Sequence, residues 1–308
     1  MDTRADIRKP VRLATCAMGT RFEFVLLGDD DRLLQAAGEE AIHAIEDTHR
    51  RLSRFEPGGP IYEINAQAGE AAVRVDDEIF ELLERCSNVR TESSQAFDVV
   101  RRAAETRLRA DPALNMDKTQ RTIGLVSAGT MIDLGGVAKG FALDLAAEIL
   151  RDSGITSAFL HGGTSTAIAV GHPPGADAWA VSLGCDTETK THRGIAMLAD
   201  TAMSVSSQDG DRPGHVINPA TGTPASNARW AACIGASAEA TDAWSTALIV
   251  RGTRPCAMPD GLTSVVEIND SQDSRTCAAI GPEKSCIVSA VGCNPPDHQV
   301  SICSGVHL

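Results

Sequence analysis

The sequence has no uninterrupted run of about 18 or more apolar residues, the length that a helix needs to span a bilayer. Basic residues are also few, because 28 Lys and Arg stand against 41 Asp and Glu and give a formal net charge of −13. Nucleic-acid backbones are bound by clustered Lys and Arg. We therefore expect no membrane span and no nucleic-acid partner, and an anionic ligand would need a local positive charge, such as a divalent metal ion or a lysine.

Closely paired cysteines are missing as well. The nine cysteines include no CxxC pair, and this favours reduced thiols over a disulfide framework or a zinc site. The first 20 residues carry charges but no apolar core of the length that a secretory signal needs. We therefore expect a cytoplasmic protein.

Three common catalytic and nucleotide-binding motifs are absent. No GxSxG elbow accompanies His161-Gly162-Gly163, so a serine hydrolase is excluded. The segment GGVAKG at 135–140 lacks the alternate glycines of GxGxxG and the GxxxxGK spacing of a P-loop. Neither a Rossmann dehydrogenase nor a P-loop ATPase is supported.

Hydrophobic periodicity predicts clustered strands with flanking helices. Helices are expected over 30–54, 76–89 and 137–152, the last with Val137, Phe141, Leu145 and Ile149 on its buried stripe. Strands are expected around 13–27, 119–125 and 130–134, and in the later segments SAFLHGG, WAVSL, GIAMLA, AMSVSS, WAACIGAS and SVVEIN. This order predicts an α+β fold with mixed or antiparallel sheets rather than an alternating parallel sheet. A seam between two lobes would fall in the loop-rich stretch 101–118.

The segment MIDLGGVAKGFALD, Met131 to Asp144, is typical of a short strand that runs through a glycine turn into a helix. Glycines let the backbone approach a bound group, and amides at a helix start favour an anion. Lys139 adds a positive charge, and Asp133 stands at the end of the strand. The segment therefore predicts a phosphate site, although such turns also arise for steric reasons alone.

The segment EATDAWSTAL, Glu239 to Leu248, predicts a helix with Asp242 and Thr246 on one face, because they are four residues apart. Mg²⁺ takes oxygen ligands, keeps several waters and usually joins one or two carboxylates to substrate phosphates. The pair suits such an ion. The structural alternative is that Thr246 bonds back to a helix carbonyl and Asp242 interacts with the helix dipole.

His215 opens the segment HVINPATGTP, in which Asn218, Pro219 and Gly222 predict a turn. A histidine that titrates near neutral pH can accept a proton from an attacking hydroxyl. The alternative is a structural histidine bonded to a loop carbonyl.

Taken in order, six segments resemble the FAD:protein FMN transferases of the ApbE family. They are MGTRFEF, LSRF, AFDV, IDLGGVAKGFALD, GHVINPATGTP and ATDAWSTAL. The resemblance implies a two-lobed ApbE-like α+β unit that cleaves the FAD pyrophosphate with Mg²⁺. It would attach FMN to a Thr or Ser hydroxyl of a target protein and release AMP. We expect an extension at 1–12, the FAD-binding transferase domain at 13–270, and a tail of unassigned role at 271–308.

Residue by residue, the resemblance implies three groups of functional side chains. The FAD site would be lined by Met18, Phe55, Ala96, Phe97, Asp98, Asp133, Lys139 and Ile217. The metal would be held by the backbone oxygen of Gly136 with Asp242 and Thr246. His215 would be the proton acceptor.

The chain departs from the family pattern at several points. Gly59 and Pro60 stand where the family has a Ser-Glu pair, and Asn218 replaces an aspartate. The segment Val205-Ser206-Ser207 replaces the usual Thr-Ser-Gly, and the loop after it is shortened to QDGDR. Two alternatives to the transferase therefore remain open, an FAD pyrophosphatase that yields FMN and AMP and a non-catalytic flavin-binding protein.

Overall fold

The computed structural model describes residues 9–102, 114–184, 194–208 and 214–268, together with the backbone of 277–280 and 287–288. These residues form five helices and sixteen strands. The helices are α1 (Asp31–Leu52), α2 (Pro60–Ala66), α3 (Asp77–Glu92), α4 (Ala138–Asp152) and α5 (Ala238–Arg251). The strands are β1 (Val11–Ala17), β2 (Thr20–Leu26), β3 (Val73–Arg74), β4 (Val100–Arg101), β5 (Leu114–Asp117), β6 (Thr122–Leu125), β7 (Met131–Ile132), β8 (Ser157–Gly162), β9 (Thr166–Gly171), β10 (Trp179–Ser182), β11 (Ile195–Leu198), β12 (Ala202–Ser207), β13 (Ala228–Gly235), β14 (Thr263–Ile268), β15 (Cys277–Ile280) and β16 (Ile287–Val288).

The main sheet has eight strands in the order β1-β2-β8-β9-β12-β13-β14-β15, and each neighbouring pair is antiparallel. The smaller sheets are β10-β11-β16, β3-β6-β5 and β4-β7, with antiparallel pairs throughout. Five helices beside these antiparallel sheets confirm the predicted α+β class.

The two faces of the main sheet are covered differently. Ile168 and Val170 of β9 pack in the buried cluster that contains α1 and α4 residues. Ala167 and Ala169 point the other way and pack with Trp179 of β10. Because side chains alternate along a strand, helices cover one face and the β10–β11 pair covers the other.

The sequence prediction missed one helix and six strands, namely α2, β3, β4, β5, β9, β15 and β16. Helix α2 begins at Pro60, the last residue of the segment EPGGP at 56–60, where the sequence prediction had no helix. Proline at the first helical position has a suitable φ and needs no amide partner, so it starts this helix. Strand β9 was missed because its first five residues are all buried and show no alternation along the chain.

The buried stripe of α4 also differs from the prediction. Ala142, Ala146 and Leu150 are fully buried, whereas Leu145 and Ile149 are only half-buried. Helix α4 contacts both α1 and α5, so its buried face is centred between the two neighbours rather than on the predicted stripe. Val137 and Phe141 are buried as expected.

Several expectations concern segments that the structure describes only in part. Residues 1–8 of the expected extension, 103–113 of the expected seam and 209–212 of the shortened loop lie outside the described residues. In the expected tail, β15 pairs with β14 and β16 pairs with β11. The domain boundaries stay a prediction.

The described helices include none that is both long enough and apolar enough to cross a bilayer. The four cysteines whose side chains are described are free, with Cys86 and Cys233 buried and Cys16 and Cys256 exposed. Burial raises the pKa of the Cys233 thiol to about 12, so this thiol is protonated at neutral pH and is a poor nucleophile.

Candidate active site

Helix α5 carries a buried carboxylate in its second turn, Asp242, whose exposure is 3%. Its Oδ1 accepts hydrogen bonds from Ser204 Oγ at 3.1 Å and from Thr166 Oγ1 at 3.3 Å. Its Oδ2 lies 3.3 Å from Lys139 Nζ and 3.3 Å from the amide nitrogen of Gly140. A buried carboxylate requires such donors, and they fix Asp242 between α4 and the sheet.

Hydroxyl groups of strand β12 and of helix α5 extend this polar cluster. Ser206 Oγ lies 2.9 Å from Ser245 Oγ and 3.4 Å from Thr246 Oγ1. Ser204 and Ser206 of β12 face α5 together because they are two residues apart on one strand. The sequence prediction recognised the strand but gave its serines no function. Their spacing of two was the signal that could have identified them.

The three predicted metal ligands, Gly136, Asp242 and Thr246, lie together, and we call them the metal set. Thr246 Oγ1 donates to the backbone oxygen of Asp242 at 3.1 Å, and a Cβ added at Gly136 would lie 3.2 Å from Thr246 Oγ1. Within the described parts of the chain, no three His, Cys, Asp or Glu side chains group to form a metal cage. One carboxylate, one hydroxyl and one carbonyl fit Mg²⁺, which keeps waters and takes phosphate oxygens as further ligands.

Helices α4 and α5 meet too closely for a side chain at Gly140. A Cβ there would lie 2.1 Å from the backbone oxygen of Ala238. One turn further along α4, Asp144 accepts hydrogen bonds from Ser237 Oγ at 2.7 Å, from the Ala238 amide at 2.7 Å and from the Glu239 amide at 2.9 Å. Asp144 therefore caps α5 from the side of α4, so the helix that follows the predicted phosphate turn and the helix that carries two predicted metal ligands are held as one unit.

The amides of the glycine turn differ from the expectation. The Gly135 amide donates to Asp133 Oδ1 at 3.0 Å, and the Ala138 amide donates to the Leu134 oxygen at 2.9 Å. The Gly140 amide points to Asp242. These three amides therefore donate to acceptors within the protein rather than to a bound anion.

The predicted flavin residues Asp133 and Phe55 are joined through an arginine. Arg54 Nε lies 3.5 Å from Asp133 Oδ2, and its guanidinium carbon lies 4.1 Å from the centroid of the Phe55 ring. Arg101 Nη1 also binds Asp133 Oδ2, at 2.9 Å. The sequence prediction did not include these two arginines, because a pairing between residues 54, 101 and 133 depends on the tertiary fold.

The side chains of the predicted segment Ala96-Phe97-Asp98 are buried. Asp98 is held by Arg90 Nε at 2.9 Å and Arg102 Nη1 at 2.7 Å, with a side-chain exposure of 2%. Both oxygens of Asp98 therefore bind protein donors, since Oδ1 also accepts the amide of the residue two positions later. Phe97 reaches the metal set, because its Cε2 would lie 3.4 Å from a Cβ at Gly136.

Asn65 of α2 fixes the strand that leads to Asp133. The Ile132 amide donates to Asn65 Oδ1 at 2.6 Å, and Asn65 Nδ2 donates to the Ile132 oxygen at 3.0 Å. These two hydrogen bonds satisfy the backbone amide and the backbone carbonyl of Ile132. Asn65 thus sets the position of Asp133 through the backbone.

His215 is exposed and opens the turn that contains Ile217, which is half-buried and forms an isolated bridge with Pro224. Gln208, just after β12, holds this turn by donating from Nε2 to the Val216 oxygen at 2.9 Å and to a second carbonyl at 2.8 Å. Strand β12 also places Ser206 against Thr246. The turn with His215 is therefore anchored to the strand that borders the metal set.

Met18 lies in the turn between β1 and β2, where its amide donates to His49 Nδ1 at 3.3 Å. It packs against a buried cluster that includes Ala96, Phe97 and Val216. One hydrophobic cluster therefore supports four predicted parts of the site, the Met18 turn, the 96–98 segment, the glycine turn and the His215 turn. Its contacts do not place Met18 or Ile217 against the metal set.

The fold and the site together define a class of protein. It has an α+β fold in which two helices meet an antiparallel sheet, and oxygen donors, a lysine and a glycine turn lie where they meet. The sequence profile of the ApbE family matches residues 18–258. The chain belongs to the ApbE family.

Relatives and solved structures agree with this assignment. The FAD:protein FMN transferase of Treponema pallidum (strain Nichols) is 26% identical over 294 residues, which cover 80% of each chain. The crystal structure of the ApbE protein from Thermotoga maritima has a TM-score of 0.73 at 20% identity, over 88% of this chain and 97% of that one. The flavin transferase ApbE from Vibrio cholerae has a TM-score of 0.73 at 18% identity, with the same coverage. These structures share the fold.

Proposed function

We propose that this chain is a Mg²⁺-dependent FAD:protein FMN transferase, which moves FMN from FAD to a Thr or Ser hydroxyl of an acceptor protein. The family membership and the name of the Treponema relative support flavin transfer. The observation that carries the metal-dependent chemistry is the set of buried Asp242 with half-buried Thr246 and Gly136, beside Lys139.

Each group has a role in this reaction. The acceptor hydroxyl oxygen attacks the phosphorus of the FMN half, the bond from that phosphorus to the bridging oxygen breaks, and AMP leaves. Bound Mg²⁺ would neutralise charge on the diphosphate. Lys139 supplies a further positive charge, and His215 accepts the hydroxyl proton. Phe55, Asp133 and the Ala96-Phe97-Asp98 segment, with Met18 and Ile217, position FAD.

The extent of the catalytic unit is part of the proposal. We place the transferase domain at 13–270, between an extension at 1–12 and a tail at 271–308. The family match over 18–258 lies inside this range, whereas β1 begins at Val11. A cytoplasmic location stays a prediction from the sequence.

The test combines the full chain, FAD and MgCl₂ with an acceptor protein that carries an Asp-x-x-Ser/Thr-like sequence. A mass spectrum should show the acceptor gaining one FMN, and chromatography should show one AMP per transfer. Asp242→Asn keeps the volume of the side chain but removes its charge, so it should abolish transfer while far-UV circular dichroism stays unchanged. Arg50→Ala, on the exposed surface of α1, serves as the control that transfers normally.

Other outcomes identify the alternatives. Release of free FMN and AMP without acceptor would make the protein an FAD pyrophosphatase. Tight FAD binding with no cleavage across a Mg²⁺ titration would make it a flavin-binding protein. Normal transfer by Asp242→Asn would overturn the metal assignment.

A further inference from the structure

Two arginines outside the predicted site converge on one of its carboxylates. Asp133 Oδ2 lies 2.9 Å from Arg101 Nη1 and 3.5 Å from Arg54 Nε. Strand pairing produces this arrangement, because β4 pairs with β7 and sets Arg101 opposite Met131, two residues before Asp133. Arg54 reaches the same place from the loop after α1 and contacts Met131 Sδ at 3.5 Å.

The convergence leaves an excess of positive charge beside the glycine turn. Two guanidinium groups share one carboxylate, whose other oxygen accepts the Gly135 amide. The side chains of Arg54 and Arg101 are 30% and 52% exposed, so both can reach a ligand. In a chain with a net charge of −13, a cationic site next to the predicted metal ligand Gly136 attracts an anion.

The aromatic ring next to this charge is unusually open. Phe55 is 71% exposed, and the guanidinium of Arg54 lies over one face of the ring at 4.1 Å from its centroid. Guanidinium planes and phenyl faces both stack on flat heterocycles. The pair therefore offers a preformed stacking surface next to positive charge. A ligand with a planar ring and a phosphate group would bind to both, the ring by stacking and the phosphate by its charge.

We infer that Arg54 and Arg101 are FAD-binding residues, with the Arg54–Phe55 pair stacking on one ring system of FAD while the two guanidinium groups bind its phosphate region. This inference rests on the proposed function, because it takes FAD as the substrate. It adds residues to the site that the family resemblance does not supply. The ring is either adenine or isoalloxazine, and binding of AMP and FMN separates the two.

The test measures the dissociation constant of FAD by equilibrium dialysis in EDTA, so that neither the metal nor catalysis contributes. Arg54→Ala should weaken FAD binding about fivefold and Arg101→Ala about threefold, because each removes a charge and only the first removes the stack. Arg54→Lys keeps the charge and should fall between wild type and Arg54→Ala. Arg50→Ala, whose side chain pairs with Asp47 on α1, should match wild type.

The ligand halves identify the ring. Whichever of AMP and FMN loses affinity in Arg54→Ala is the half that stacks on the pair. FAD affinity of Arg54→Ala within about 1.5-fold of wild type, with an unchanged unfolding midpoint, would overturn the inference. If wild type binds FAD and the variants weaken it but no transfer occurs, the binding role stands and the transferase proposal fails.

Discussion

At the scale of single residues, the centre of the site is a carboxylate that the fold keeps away from water. Asp242 binds two strand hydroxyls through one oxygen, and a lysine and a backbone amide through the other. Its spacing from Thr246 was predictable from the sequence because both residues lie on one helix. Its hydroxyl partners were not, because they come from strands that are 38 and 76 residues away along the chain.

Thr246 distinguishes the metal role from the structural alternative. Its hydroxyl does bond back to the Asp242 carbonyl, as that alternative expects, but the hydroxyl also faces Gly136. Thr246→Val removes the oxygen and keeps the shape, so we expect the Mg²⁺ concentration for half-maximal transfer to rise at least about tenfold, the effect of losing about 1.4 kcal/mol of binding. Thr246→Ser keeps the oxygen and should stay close to wild type in the same titration. Equal Mg²⁺ requirements for the two variants would mean that the hydroxyl only serves the helix.

At the scale of elements, the site depends on the contact between α4 and α5. The sequence prediction located both helices and placed phosphate chemistry on the first and metal chemistry on the second. It gave no role to Asp144, whose three hydrogen bonds cap α5. A capping residue in another helix has no fixed sequence spacing from the helix that it caps, so only the packed structure reveals it.

The substitution Gly140→Ala tests this contact, because the two relevant effects predict opposite signs for the change in the free energy of unfolding. Alanine is about 1 kcal/mol better than glycine inside a helix, so local propensity alone predicts that Gly140→Ala stabilises the protein. The 2.1 Å approach of the added Cβ to Ala238 predicts the opposite, a loss of about 3 kcal/mol from overpacking. Urea denaturation measures the difference. Gly135→Ala is the matched control, since its Cβ would meet only Asp133 Oδ1 at 3.2 Å.

The Asp144 cap also predicts a pH dependence of stability. Burial raises the pKa of Asp144 above its ordinary 3.8 and outweighs the hydrogen bonds from Glu239, Ser237 and Ala238 and the charge of Arg151, which lower it. The pKa of Glu239 is raised too, mainly by burial, and Arg85 opposes that shift. Between the unfolded and folded pKa values the folded state holds more protons, so stability falls as pH rises through this window.

The measurement compares wild type with Asp144→Asn by chemical denaturation from about pH 4 to pH 7, which brackets the ordinary carboxyl range. The variant loses acceptors and should be less stable throughout. The difference in the free energy of unfolding between wild type and Asp144→Asn should shrink as pH rises, because only wild type loses stability as the Asp144 proton is released. A disadvantage that grows with pH would show that the pKa of Asp144 is lowered by folding instead.

At the scale of the whole molecule, segments that are distant in sequence meet around one hydrophobic cluster. The Met18 turn, the 96–98 segment, α4, α5 and the Val216 turn all contribute to it or pack against it. A ligand that touches several of these segments should therefore stabilise the whole fold. This stabilisation by FAD can be measured as a change in the free energy of unfolding, without an acceptor protein.

We expect FAD at about 100 times its dissociation constant to raise the free energy of unfolding by about 2.7 kcal/mol, seen as a higher thermal midpoint in Mg²⁺. EDTA should shrink this shift because the diphosphate then loses its counter-ion beside Asp242. Asp242→Asn should show the small shift in both conditions. A shift that EDTA leaves unchanged would separate FAD binding from the metal.

The sequence by itself determined the α+β class, the two helices of the site and the spacing of Asp242 and Thr246, because helical and strand periods are local properties of the chain. It also carried the ordered motifs of the ApbE family. Only the tertiary structure decided which strand hydroxyls face Asp242, that Asp144 caps α5, and that Arg54 and Arg101 meet at Asp133. These contacts join residues up to 95 positions apart, and no sequence period encodes a pairing made by the packing of separate elements.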